Sequence, residues 1–295
     1  MFVTTLLCQP GQTAITPNLA QSLCNAWGGR DLTWLAPREA VEFECLQSPD
    51  TLWPVWQEMQ AQNIDLVVQP SAGRRKKMLL ADMDSTMITV ECIDELADFA
   101  GIKPQIAAIT ERAMAGELDF AEALKARVAL LAGLDENMIA QCLRERVRPM
   151  PGAEILVRTM TGWGAHAVLV SGGFTSFTGP VAELLGFTEV HANVLEIKGG
   201  CLTGGLKGDI VDAAVKRAVL HSAAASQGIP LDAAIAVGDG ANDLPMIAAA
   251  VAGDGLGIGY NPRPQLAKAA NFSVRHNDLT ALLFAQGVAP NEWLR

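Results

Sequence analysis

Hydrophobic and polar positions change rhythm once, near residue 75, and the two parts predict different architectures. Before it, alternating stretches at 2–8, 31–37, 41–47 and 64–69 predict strands, and two stretches with helical spacing, 17–27 and 51–62, fall between them. The order strand, helix, strand, strand, helix, strand is the split βαβ pattern of a ferredoxin-like α+β sandwich. Trp53 and Trp56, three apart on the second helix, predict a face packed on the sheet. Small residues and then a basic tetrad, Ser71 to Lys77, read as a solvated linker, so domains over 1–75 and 76–295 are expected.

From Met78 onward, short apolar runs alternate with helical spacing. Met78–Asp82, His166–Ser171 and Ala234–Asp239 each end in a polar residue followed by small ones, the rhythm of a parallel sheet with crossover helices. Between the first two lies a segment of about 88–148 with little strand character. It predicts helices at about 91–100, 104–115, 119–132 and 135–147, punctuated by Gly101, Gly116 and Gly133 and closed by Pro149 and Pro151. A helical insertion at that point would lie over the carboxyl ends of the strands as a cap.

Composition narrows the class. The chain has 295 residues, half of them hydrophobic and 18% charged, enough to bury a sizeable core. Acidic residues outnumber basic ones by 32 to 22, which leaves no broad basic field and argues against a nucleic-acid partner. No apolar run approaches the roughly 20 residues of a membrane-spanning helix, and the N-terminus lacks the basic start of a signal peptide. The six cysteines, without a CxxC pair, read as buried apolar residues in a reduced compartment, so a cytoplasmic protein is expected.

The chemistry collects at the three strand ends, where open parallel sheets bind ligands. The clusters are Asp82-Met83-Asp84-Ser85-Thr86, Ser171-Gly172-Gly173-Phe174 and Gly238-Asp239-Gly240-Ala241-Asn242-Asp243. Carboxylates of Asp82, Asp84, Asp239 and Asp243 would repel one another in a dry crevice unless a cation joined them. Oxygen-only donors favour a hard ion such as Mg²⁺. The glycine pair after Ser171, read as opening a helix, offers backbone N–H groups of the kind that hold phosphate. Lys207 and Lys216 are the candidate cations to complete neutralisation. Metal, phosphate cradle and paired carboxylates together indicate phosphoryl transfer, and no Walker A, GxSxG or HExxH pattern offers another chemistry. The four histidines, 166, 191, 221 and 276, are scattered, and Asp94, Glu95 and Asp98 read as a solvated helix face. Whether Asn193 hydrogen-bonds near the crevice is not decided by the sequence.

The set DxDST at 82–86, SGG at 171–173, a downstream lysine and GDGANDxxM at 238–246 resembles the haloacid dehalogenase-like phosphatases. With Glu91, Phe120 and Arg127-Val128 added, the chain is similar to the phosphoserine phosphatases over about residues 78–285. Residues 1–75 are similar in layout to the ACT-like domain of the longer bacterial members. The resemblance implies a Rossmann-like α/β core with a helical cap inserted after its first strand. It makes Asp82 the nucleophile and Asp84 the general acid–base. Mg²⁺ would be held by Asp82, the Asp84 backbone carbonyl and Asp239, with Asp243 behind them acting through water. Ser171, Gly172, Lys216 and Asn242 would hold the phosphoryl group, Lys216 being preferred over Lys207 by its place in the family pattern. Glu91 would take a substrate ammonium and Arg127 its carboxylate, with Met114 and Phe120 walling the pocket. Without that frame, Arg127 could equally pair with Glu122 or Glu136.

The function so implied is Mg²⁺-dependent hydrolysis of O-phospho-L-serine to L-serine and phosphate, the last step of serine synthesis. Alternatives keep the chemistry and change the substrate, to phosphohomoserine, phosphothreonine or another small phosphomonoester, or pass the phosphoryl group to an acceptor alcohol. A different alternative is an amino-acid sensor with an inactive core. Residues 1–75 would serve dimerisation or stability, making a homodimer the possible assembly, or would bind serine.

Overall fold

A computed structural model describes residues 1–114 and 117–294, and Gly116, expected to punctuate the cap, lies outside them. The first part forms β1 (Phe2–Cys8), α1 (Pro17–Ala26), β2 (Arg30–Ala36), β3 (Ala40–Cys45), α2 (Leu52–Ala61) and β4 (Ile64–Pro70). Thr16 starts α1 by accepting the Leu19 N–H, with Pro17 in the first turn where its missing N–H costs nothing. The strands pair in the order β2-β3-β1-β4. Leu6, Phe43, Ile64 and Leu66 bury one face of this sheet with Ala20, Leu23 and Met59 of the two helices.

The second part begins with β5 (Met78–Ala81), followed by cap helices α3 (Cys92–Phe99), α4 (Lys103–Met114), α5 (Phe120–Ala129) and α6 (Asn137–Glu145). Asp119 and Glu122 close a reciprocal capping box at the start of α5. Then come α7 (Ala153–Gly162), β6 (His166–Phe174), α8 (Thr175–Leu185), β7 (Glu189–Lys198), β8 (Cys201–Lys207), α9 (Ala213–Ser226) and β9 (Ala234–Gly238). The chain ends with α10 (Leu244–Ala252), β10 (Leu256–Tyr260), α11 (Pro264–Ala269), β11 (Phe272–Val274) and α12 (Ala281–Ala285). The sheet order is β11-β10-β9-β5-β6-β7-β8. Its pairs are parallel except β7 with β8, a hairpin that turns at Gly199-Gly200. All four residues of β5 are buried, as a central strand covered on both faces requires.

Backbone pairing joins cap and core at the Ile88–Pro149 crossing and at β8. Ile88 bridges Pro149 where the chain leaves and re-enters the sheet. The loop between α5 and α6 pairs with β8: Gly133 N–H donates to Leu202 O, Leu202 N–H to Leu134 O and Glu136 N–H to Gly200 O, at 2.8, 2.8 and 2.9 Å.

Several expectations are corrected. Trp53 is 70% exposed and only Trp56 of the pair turns toward the sheet, because α2 rests on it through Met59, Leu52 and Val55. The basic stretch is solvated only in part: Arg75 and Lys77 are exposed, while Arg74 is half-buried and Lys76 buried. Lys76 is buried with Nζ 2.6 Å from Asp232 O, Arg74 pairs with Glu42 and Arg75 with Glu292. Arg74, which also donates to Ala285 O at 3.2 Å, joins β3 to the second part, together with the buried Asp65 of β4, which accepts the N–H groups of Arg275 and His276 at 3.0 and 2.9 Å. Five cysteines are buried, but Cys201 is exposed at the hairpin. Gly172 and Gly173 end a strand, and the helix they were expected to open starts at Thr175. Among the described residues, no helix is long and apolar enough to cross a membrane.

Candidate active site

The three polar clusters meet at the carboxyl edge of the sheet because β6, β5 and β9 are adjacent and parallel. Asp82 follows β5 directly, its N–H donating to Val237 O of β9 at 3.0 Å. Its carboxylate faces Lys216, which α9 presents from its first turn. That helix is started by Asp212, whose side chain accepts the Val215 N–H at 2.9 Å. Lys216 Nζ donates to Asp82 Oδ1 at 2.6 Å and to Asp243 Oδ1 at 2.7 Å, and all three side chains are buried. The other oxygen of Asp243 accepts the N–H groups of Asp239 and Gly240, both at 3.1 Å. A Cβ on Gly238 would lie 2.3 Å from that oxygen, so this turn admits only glycine there.

One ammonium between two buried carboxylates leaves the negative charge in excess. Burial, then Asp243, push the Asp82 carboxyl well above the usual range, with Lys216 opposing. Burial, then Asp243 and Glu91, push Asp239 up to about 6. Burial would depress the Lys216 ammonium, but Asp82 and Asp243 outweigh it and hold it above the usual lysine range.

Asp82, Asp239 and Asp243 each offer an oxygen within 4.8 Å of the others. Three oxygen donors with surplus negative charge fit a hard divalent cation.

Asp84 lies beside the second cluster. A Cβ on Gly173 would sit 3.1 Å from Asp84 Oδ2 and 3.0 Å from Ser171 Oγ, so the bare glycine lets these groups approach. Asp84 is pushed up to about 7, first by burial and then by Glu91. Ser85 turns the chain with φ +57°, and its hydroxyl lies 2.7 Å from Glu91 Oε1. Ser171 Oγ accepts the Gly173 N–H at 2.9 Å. Among the described residues, Thr86 Oγ1 is buried with no hydrogen-bond partner, a feature that residue order does not reveal.

The sequence matches the haloacid dehalogenase-like hydrolase family over residues 79–248. The chain belongs to the haloacid dehalogenase-like hydrolases. A curated relative, the phosphoserine phosphatase of Streptomyces coelicolor, is 42% identical over 260 residues, 87% of this chain and 62% of its own length. This chain therefore spans less than two thirds of that relative. The phosphoserine phosphatase of Albidiferax ferrireducens is 46% identical over 212 residues, 70% of this chain and 88% of its own length. Among solved structures, a haloacid dehalogenase family hydrolase of Salmonella enterica serovar Typhi is similar with TM-score 0.85 and 25% identity, covering 97% of this chain and 98% of that one.

Like other parts of this haloacid dehalogenase-like site, the cap brings its residues to the crevice from separate helices. Phe120 at the start of α5 reaches Gly172, where a Cβ would meet its Cζ at 3.0 Å. Arg127, later on α5, is largely buried, and burial lowers its guanidinium against the opposing pull of Asp94 and Glu91. Its acidic neighbours are thus on α3 and the turn before it. Glu122 instead closes the capping box on Asp119 N–H at 3.0 Å. Asp94 and Glu95, expected on a solvated face, are both half-buried, Asp94 near enough to raise the Arg127 guanidinium against burial, while Glu95 and the exposed Asp98 pair with Arg146. Lys207 is exposed on β8, away from the Asp82–Asp243 pair that holds Lys216. Asn242 is half-buried on the Gly240 turn. The Met114 side chain lies outside the described residues. Asp243 meets Lys216 and the Asp239 N–H directly. The scattered histidines are also corrected in part, since His166 and His191 both lie 2.6 Å from Glu189, at the opposite end of β6 and β7 from the crevice.

Proposed function

We propose that this chain hydrolyses O-phospho-L-serine to L-serine and phosphate through an aspartyl phosphate on Asp82, in the cytoplasm and as the last step of serine synthesis. The observation that carries the reading is the buried Lys216 held between Asp82 and Asp243, facing Asp84 and the Ser171–Gly173 turn. Sequence likeness to phosphoserine phosphatases supports the substrate.

Asp82 attacks phosphorus in line with the serine oxygen, and the P–O bond to serine breaks. Asp84 gives that oxygen a proton. A carboxyl pushed to about 7 can hold one at neutral pH and take one back from the water that opens the aspartyl phosphate. Lys216, Ser171, the Gly172 N–H and Asn242 hold the phosphoryl oxygens. Splitting the hydrolysis in two lowers the barrier of each half. Mg²⁺ held by Asp82, Asp239 and the Asp84 carbonyl, with Asp243 beside them, would supply further neutralisation of the transferring group. Glu91 takes the substrate ammonium and Arg127 its carboxylate, in two parallel hydrogen bonds. Met114 and Phe120 wall the pocket. Residues 1–75 form an ACT-like module and 76–295 the capped phosphatase.

Phosphate release is measured on L-phosphoserine, phosphohomoserine, phosphothreonine, a sugar phosphate and para-nitrophenyl phosphate, with Mg²⁺ and with EDTA. The expected result is Mg²⁺-dependent release favouring L-phosphoserine. Release favouring another substrate would overturn the roles of Glu91 and Arg127, and no release from any would overturn the enzyme reading.

A further inference from the structure

The ladder between β6 and β7 is broken at the Ser171 turn. Val170 pairs with His191, and the next pair is Phe174 with Asn193, so β6 carries two more residues across the break than β7 does. Backbone groups of Ser171, Gly172 and Gly173 are thereby released from the sheet. Asn193 fills the gap with its side chain, which is buried. Its Nδ2 donates to Gly172 O at 2.8 Å, and its Oδ1 accepts the Val211 N–H at 2.9 Å.

Gly172 C=O and Gly173 N–H belong to one planar peptide unit and point in opposite directions. Clamping the carbonyl therefore aims the N–H, and Gly173 N–H donates to Ser171 Oγ at 2.9 Å. A hydroxyl that accepts on one side keeps its own proton to donate on another. Meanwhile the Val211 arm fixes the chain just before Asp212, the cap of the helix that carries Lys216.

We propose that Asn193 is a positioning residue for the phosphoryl site. Through the Gly172–Gly173 peptide it holds Ser171 as a donor toward the transferring group, and through Val211 it ties that turn to the entry of α9. The proposal rests on the phosphoryl-transfer reading of Ser171.

Asn193→Asp keeps the size and the acceptor for Val211 but sets a carboxylate oxygen against Gly172 O. The expected loss in kcat is about tenfold or more, equal on L-phosphoserine and para-nitrophenyl phosphate, because one hydrogen bond's worth of alignment is shared by both. Inhibition by inorganic phosphate weakens in step, a readout a purely structural role would leave in place in the folded fraction. In a double-mutant cycle with Ser171→Ala, the pair loses no more than the worse single variant. Additive losses, or wild-type turnover and phosphate inhibition in a folded Asn193→Asp protein, would overturn the relay. Should that variant not fold, Asn193→Ala carries the same cycle without adding charge. If Ser171→Ala alone keeps wild-type turnover, the phosphoryl reading of Ser171 fails and takes the relay with it. A loss for Ser171→Ala with none for Asn193 sinks the relay alone.

Discussion

Lys216 and Asp82 form a buried ion pair with 2.6 Å between Nζ and Oδ1, and the same ammonium also holds Asp243. Lys216→Met therefore leaves two carboxylates without their cation. A loss of stability of about 3–5 kcal/mol is expected by denaturant unfolding, since stranding a buried charge is the costly way to break a pair. Adding Asp243→Asn should recover part of the stability and none of the turnover.

On the proposed mechanism, Asp82→Asn removes the attacking oxygen but keeps a group of the same size beside Lys216. Phosphate release should fall by roughly 10³-fold or more, as for nucleophile deletions in other hydrolases. Circular dichroism should remain that of the folded protein. Full activity, with deamidation excluded by mass spectrometry, would end the covalent mechanism.

On the proposed reading, Arg127 separates substrate recognition from chemistry. Arg127→Ala is expected to cost about 2–5 kcal/mol in kcat/KM for phosphoserine and far less for para-nitrophenyl phosphate, which has no carboxylate. Asp94→Ala should act in the same direction more weakly, through the placement of Arg127. Equal losses on both substrates would make Arg127 a structural residue.

Asp65 is the acceptor that fastens β4 to the chain after β11. Asp65→Ala strands two N–H groups, and each buried donor left unpaired costs about 1–3 kcal/mol. The Tm should fall accordingly, while Asp65→Asn, which keeps one acceptor oxygen, should fall less. Identical Tm values for Ala, Asn and the parent would mean that this junction contributes nothing.

Glu189 carries the pH-dependent part of stability at the far end of the sheet. Burial pushes its carboxyl up, but hydrogen bonds from His191 and His166 outweigh that and hold it below the usual carboxylate range. A depressed carboxyl stabilises the fold above its unfolded value and loses that contribution as pH falls through the folded one. Glu189→Gln should therefore lower the Tm at neutral pH, and the two curves should converge on acidification below pH about 4. A constant gap across that range would show that the pairing with His166 and His191 is not what matters.

The four strands of the first part, β5, β6 and β9 of the second, and helices α1 to α6 were legible because their periodicity is strong. The three clusters were legible because Asp and Gly gather at strand ends, whereas β10, β11 and the bounds of α7 to α12 were not read. Cap helices came out within a few residues, the boundaries being set by caps such as Asp119 that spacing alone does not weigh. The β7–β8 hairpin went unread, though Gly199-Gly200 between two alternating runs was a usable signal. Other features depend on partners distant in sequence. Asp94 acts on Arg127 only because the fold brings α5 near α3, and His166 meets Glu189 only through the register of adjacent strands. Trp53 and Trp56 have the same spacing as any buried pair, and the tilt of α2 decides which one is covered.

The three backbone hydrogen bonds between the α5–α6 loop and β8 make the hairpin mechanically part of the cap. Opening the crevice by parting them would cost about 0.5–1.5 kcal/mol for each bond lost. Swinging about the Ile88–Pro149 bridge with the hairpin still attached keeps all three. A cap that swung in this way would carry the hairpin with it, held at its second end where β7 leaves the sheet, next to Asn193. Access to the crevice and alignment of the Ser171 turn would then rest on one piece of strand.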